Sequence, residues 1–143
     1  MEIKFKKLND KAVEPKYAHN SDACVDLTVI SREYDNITKC YVYGTGLAFE
    51  LPENTVGLLF ARSSICNKDM ILSNHVGIID SGYLGEVKAK FRTTAPNHKA
   101  SLYEIGERAL QLMVIPRPKM TFTEVSELGT SERGTGGFGS SGA

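Results

Sequence analysis

The sequence predicts an all-β fold, a barrel or sandwich of short strands. Three observations predict it. No stretch of ten residues holds a convincing 3.6-residue apolar period, so no α-helix is expected. Apolar, strand-like runs recur about every ten residues, with Gly, Pro and Asn between them. The 143 residues, 41% hydrophobic, suffice for one domain with a real core and hardly for two.

The elements follow in order. Ile3 and Phe5 alternate with Glu2, Lys4 and Lys6, a first strand. Residues 9–22 are polar, with Pro15, Asn20, Ser21 and Asp22, and form a loop. Residues 23–30 make a short apolar strand carrying one acid, Asp26. Residues 31–36 are expected to turn, and 37–43 and 47–51 to form two strands around Gly44-Thr45-Gly46. Pro52-Glu53-Asn54 turns, and 56–61 is a further strand. Residues 62–68 break the pattern as a loop or a single helical turn, and 70–79 are extended again. A strand over 86–94, a turn at 95–99 and a short strand at 101–105 come next. After the turn at 106–108, the apolar run 109–115 is interrupted by Gln111 and ended by Pro116 and Pro118. A last strand is expected within 122–128.

One stretch organises the chain: residues 74–86, Asn-His-Val-Gly-Ile-Ile-Asp-Ser-Gly-Tyr-Leu-Gly-Glu. An apolar run expected to be buried, Val76 to Ile79, ends in Asp80. Ser81-Gly82-Tyr83 is turn-like, and then Val87, Ala89 and Phe91 alternate with Lys88, Lys90 and Arg92. The expected unit is a hairpin with Asp80 at its corner.

Charge and cysteine exclude several classes. Seventeen Lys+Arg balance seventeen Asp+Glu, so nothing draws the chain generally to nucleic acid or an anionic membrane. Cys24, Cys40 and Cys66 are odd in number and form no CxxC pair, which suggests neither zinc nor a disulfide framework. There is no signal-peptide pattern and no run approaching the ~20 apolar residues of a membrane span. A soluble, intracellular, cytoplasmic protein is expected.

From 127 to the end the chain holds six glycines and almost no apolar side chains. Such a segment is a disordered tail or an arm that orders on something else. Gly134-Thr135-Gly136-Gly137-Phe138-Gly139 matches G-x-G-x-x-G, but only four residues follow, so the helix that fingerprint requires cannot form. The composition still suits a flexible phosphate grip. Glycine N–H groups, the Ser140 and Ser141 hydroxyls and the Arg133 fork can all face an anion.

Five stretches, in order, resemble the five motifs of the trimeric dUTPases (deoxyuridine triphosphate nucleotidohydrolases). They are Ala23-Cys24-Val25-Asp26-Leu27, Ala61-Arg62-Ser63-Ser64, residues 74–86, Gly106 through Leu112, and Arg133 through Gly142. The resemblance implies a distorted jelly roll over 1–128 and a C-terminal arm over 129–143. It implies a homotrimer that hydrolyses dUTP to dUMP and pyrophosphate with Mg²⁺. In the family one chain gives the third motif, a second the first, second and fourth, and a third its arm.

Roles follow by resemblance. Asp80 is the general base that orients water toward the α-phosphorus. Tyr83 packs under the deoxyribose and leaves no space for a 2′-OH. Asn74, Gly77 and Ile79 lie on the base side, and Phe138 caps the uracil. Backbone groups there can tell uracil O4, an acceptor, from cytosine N4, a donor, while thymine must be excluded by its methyl. Arg62, Ser63, Ser64, Gln111, Arg133, Gly139, Ser140 and Ser141 contact phosphates. Gln111 is singled out independently, because a polar head inside an apolar strand is costly unless paired. Arg108 beside it is expected in a structural ion pair. No residue is named as a direct metal ligand. Mg²⁺ prefers phosphates and waters, and Asp26 is placed near its waters.

The chain departs from the family pattern at Cys24, Ala61, Ser64 and Gly82, none of which removes a named group. Two alternatives stand beside hydrolysis. A dCTP deaminase would carry a catalytic Glu where Lys90 stands; a non-catalytic binding or regulatory protein would not need the Asp80, Gln111 and Arg133 set.

Overall fold

Residues 1–96 and 98–137 are described by a computed structural model. The strands are β1 (Lys4–Lys7), β2 (Val25–Thr28), β3 (Ser31–Asp35), β4 (Cys40–Glu50) and β5 (Thr55–Ala61), then β6 (Met70–Leu72), β7 (Gly77–Asp80), β8 (Glu86–Thr93) and β9 (Arg108–Pro116). One 3-10 turn, Ser63–Asn67, stands between β5 and β6. The all-β expectation holds. Among the described residues no helix is long and apolar enough to cross a membrane.

Two antiparallel sheets face each other. The first runs β1-β4-β8-β6, with β3 also paired to β4; the second runs β2-β9-β5-β7. Period-two burial explains the packing: β8 alternates Val87, Ala89 and Phe91 inward with Lys88, Lys90 and Arg92 outward. Leu27, Leu59, Ile79, Leu110 and Leu112 meet them from the other sheet. At the centre Tyr43 and Phe91 make an edge-to-face contact at 5.6 Å, and Tyr103 lies 5.7 Å from Phe91.

The structure corrects several expectations. Residues 31–35 are a strand, not a turn, because they pair with Cys40–Gly44. Their charged, exposed composition hid the strand, and the turn falls after Asp35, whose Oδ1 accepts from the Ile37 and Thr38 amides. Residues 40–50 form one strand instead of two, and Gly44–Gly46 is a slip in the register against β8. The run 70–79 is broken at 73–76, where the chain crosses from one sheet to the other with His75 at φ 61°.

Residues 101–105 are not a strand. Side chains hold them instead: Tyr43 and Arg32 donate to the Tyr103 carbonyl at 3.0 and 2.9 Å, and Lys68 donates to the Leu102 carbonyl at 3.0 Å. Residues 122–128 pair with nothing among the described residues, and Phe122 and Leu128 are exposed.

The largest correction concerns the organising stretch. β7 pairs only with β5, and β8 pairs with β4 and β6, so the two strands lie in different sheets. The stretch is a corner between sheets and not a hydrogen-bonded hairpin. Ile78, expected to be buried, is 59% exposed, since on an edge strand it points outward beside Asp80.

Candidate active site

At the corner the outer edges of β7 and of the first half of β8 lack a strand partner among the described residues, although the Ser73 amide donates to the Lys90 carbonyl and the Tyr83 hydroxyl to the Glu86 carbonyl. Among the described residues β6 covers β8 only from Phe91 to Thr93, and β7 has no strand partner beyond β5. Two cavities open there. One, about 420 Å³, is lined by Ile78, Ile79, Asp80, Tyr83, Glu86 and Lys88 among others. The second, about 340 Å³, includes Asn74, Gly77, Ile78, Ile79 and Lys88. Asp80, Asn74, Gly77, Ile79 and Tyr83 therefore share one trough. Sequence reasoning gave no role to Ile78, Glu86 and Lys88 in its wall. Ile78 was hidden by the assumption of a buried run; Glu86 and Lys88 read as the solvent face of a strand.

Asp80 is exposed, and among the described residues its carboxylate makes no ion pair or side-chain hydrogen bond. Its carbonyl accepts from the Tyr83 amide at 3.0 Å, which closes the turn. Tyr83 in turn donates its hydroxyl to the Glu86 carbonyl at 2.9 Å. The corner thus offers an acceptor-only carboxylate, an aromatic ring and free main-chain donors and acceptors.

A second cluster sits at the other end of the four-stranded sheet. Asp26 lies opposite Gln111 in the β2–β9 register, and Gln111 lies opposite Phe60. Arg62 follows directly on β5. Its Nε meets Asp26 Oδ1 at 2.7 Å, while Arg108 Nη1 meets Asp26 Oδ2 at 3.0 Å, with the Asp26 side chain only 10% exposed. The expected Arg108 ion pair is present. Arg62 is not a free fork, since its Nη1 also donates to the Arg108 carbonyl at 3.3 Å. The polar head of Gln111 is paired, donating to the Ala61 carbonyl at 3.1 Å. Burial, and then the charge of Asp26, push the Cys24 thiol up, so it remains protonated.

Ser63 and Ser64 open the 3-10 turn. Lys68 ties the far end of that turn to Glu107 at 3.0 Å. The Glu104 amide and then Lys68 hold the Glu107 carboxyl below its ordinary value. Ser64 neighbours the buried Tyr103 hydroxyl, whose pKa burial raises and Ser64 opposes.

The two clusters are not adjacent within the chain. Asp80 stands opposite Val56 on one edge strand, and Asp26 is on the other edge, level with Phe60. Four residues along and three strands across give roughly 20 Å. Arg133 stands apart as well, donating from Nε to the Gly136 carbonyl at 2.9 Å. Phe138, Gly139, Ser140 and Ser141 lie outside the described residues. Lys90, where a deaminase would need its acid, pairs with Asp35 at 3.0 Å.

Among the described residues no group of three His, Cys, Asp or Glu side chains could hold a metal.

The family model described as dUTPase matches residues 10–142. The Deoxyuridine 5′-triphosphate nucleotidohydrolase of Clostridium acetobutylicum is 36% identical over 98% of this chain and 96% of its own length. A variant of the Staphylococcus bacteriophage 80alpha dUTPase, solved with dUpNHpp, superposes with a TM-score of 0.82 at 27% identity, covering 99% of each chain. A dUTPase of phage phi11 of S. aureus, described with a structural Mg(II) ion, shares the fold at 22% identity and a TM-score of 0.70, covering 89% of this chain and 98% of its own. With its two-sheet fold, its corner trough and a match over nearly its whole length, this chain belongs to the dUTPase family.

Proposed function

We propose that this protein hydrolyses dUTP to dUMP and pyrophosphate, with Asp80 as general base. The observation that carries the reading is the corner trough, where the free Asp80 carboxylate shares one cavity with Tyr83 and two unpaired strand edges. Uracil enters between those edges and takes up their main-chain donors and acceptors, as an added strand would. A fixed donor that pairs with O4 of uracil is left facing a donor in cytosine, which is the discriminating penalty. Thymine differs by a methyl, which the walls around Ile78 and Ile79 exclude. Tyr83 lies under the sugar.

Asp80 takes a proton from water as the water oxygen bonds to the α-phosphorus. The bond from that phosphorus to the bridging oxygen breaks, and pyrophosphate leaves. Such a base supplies about 10²–10⁴-fold. Bound Mg²⁺ would supply neutralisation of the triphosphate charge, with Asp26 the residue of this chain placed to receive one of its waters. Asp26 can receive one of those waters only when Arg62 exchanges its partner for phosphate.

One chain holds Asp80 and Arg62 too far apart to act on one substrate, for reacting groups must sit about 3–3.5 Å from their targets. The site is therefore completed between copies in a homotrimer, with Arg62, Ser63, Ser64 and Gln111 of a second copy on the phosphates. Residues 1–128 form the β domain, and 129–143 an arm that brings Arg133, Phe138, Gly139, Ser140 and Ser141 over a neighbour's site. Cys24, Cys40 and Cys66 are free, which suits a reducing cytoplasm.

The test is pyrophosphate release from dUTP with Mg²⁺, against dCTP, dTTP and UTP. Release from dUTP alone is expected. No release at micromolar dUTP, or ammonia from dCTP, would overturn the reading.

A further inference from the structure

We infer that Glu86 is a positioning residue for sugar selectivity: the Gly44–Gly46 slip in β4 grips its carboxylate, and its own peptide carbonyl holds the Tyr83 ring in place. The inference rests on the reading of Tyr83 as the floor of the deoxyribose site.

Tyr83 stands on the loop between the sheets and is 45% exposed, so burial alone does not fix its ring. Two contacts do. Its hydroxyl donates to the Glu86 carbonyl at 2.9 Å. Its ring also covers Gly85 so closely that a Cβ there would fall 2.6 Å from the hydroxyl oxygen and 2.7 Å from Cζ. The ring's position therefore depends on what fixes residues 85 and 86.

Glu86 is fixed from the neighbouring strand β4 and from β8 itself. Its Oε1 accepts from the Gly46 amide at 2.9 Å, and its Oε2 pairs with Lys88 at 3.1 Å, the side chain being 24% exposed. The carboxylate occupies space that only glycine leaves. A Cβ on Gly44 would lie 2.6 Å from Oε1, and Gly46 has φ +66°. The register slip between Gly44 and Ala48 is what frees the Gly46 amide from the ladder. The next peptide is held as well: Thr45, fully buried, donates to the Val87 carbonyl at 2.8 Å and accepts from the Leu47 amide at 3.2 Å. Glu86 need not touch the nucleotide; it acts through Tyr83.

The experiment measures kcat and KM for dUTP and UTP on the full chain and on Glu86→Ala, Glu86→Gln, Gly85→Ala and Tyr83→Ala. The quantity read is the dUTP/UTP ratio of kcat/KM. Glu86→Ala is expected to lower it about tenfold or more, chiefly through a rise in kcat/KM for UTP. Glu86→Gln keeps an acceptor for Gly46 and is expected to retain most of the ratio. Gly85→Ala lowers the ratio with its melting temperature unchanged, because the ring it displaces can swing into solvent. If Glu86→Ala fails to fold by circular dichroism, Glu86→Gln and Gly85→Ala decide. A ratio within about twofold of wild type in Glu86→Ala and Gly85→Ala, with Tyr83→Ala collapsed, overturns the role of Glu86 alone. An unchanged ratio in Tyr83→Ala overturns the sugar-floor reading and this inference with it.

Discussion

The two edge strands of the four-stranded sheet each carry an aspartate, and the two aspartates are built into opposite situations. Asp26 on β2 is 10% exposed, with both oxygens engaged by Arg62 and Arg108. Asp80, at the end of β7, is exposed and makes no side-chain hydrogen bond or ion pair among the described residues. A carboxylate closed between two guanidiniums is an anchor that holds both arginines in place. A carboxylate with free lone pairs can accept a proton or a hydroxyl. On the proposed reading, chemistry belongs to one end of the sheet and phosphate binding to the other.

Asp80→Asn should break the first half of that contrast most severely. It removes the base but keeps the shape, so kcat should fall about 10²–10⁴-fold with KM for dUTP little changed, read by steady-state kinetics. Arg62→Ala acts on the other end. Loss of a charge-assisted bond to phosphate, about 1.5–3 kcal/mol, should raise KM ten- to a hundredfold. Gln111→Leu sharpens the comparison further. It removes the bond to the Ala61 carbonyl, yet leucine fits an apolar strand, so melting temperature should stay near wild type while KM rises a few-fold.

Asp35 is a third carboxylate, joined through Lys90 to the wall of the second cavity, and gives the smallest effect. The Thr38 hydroxyl, then Lys90, then the Thr38 and Ile37 amides hold it well below the usual carboxylate range. A depressed folded value stabilises above the ordinary ~3.9 and is lost as pH falls through the folded value. Asp35→Ala should therefore lower the melting temperature at pH 7, and its difference from wild type should shrink below about pH 4.

Much of this was legible in the sequence because period-two alternation is local: Val87, Ala89 and Phe91 marked β8, and the solitary Gln111 marked a paired polar head. What was not legible was long-range. No local signal says that residues 77–80 and 86–93 belong to different sheets, since either arrangement buries Ile79 and Val87. β3 was missed because its sequence, Ser-Arg-Glu-Tyr-Asp, is exposed on its open face and held by ladder bonds, not by burial. The engagement of Arg62 with Asp26 was equally hidden, because 36 positions separate them and only the β2–β9–β5 register brings them together. Nor do the motif stretches say that residues 74–86 and the group of Asp26, Arg62 and Gln111 fall into two separate clusters.

Whether one site draws on two copies of the chain is decided by subunit mixing. Asp80→Asn and the double variant Arg62→Ala, Gln111→Ala are each made, then unfolded and refolded together in equal amounts. If Asp80 of one copy works with Arg62 and Gln111 of another, random trimers contain intact sites at about a quarter of positions, and about a quarter of wild-type dUTP turnover returns. A mixture no more active than its parents would mean that every site is built within one chain, and would contradict the account.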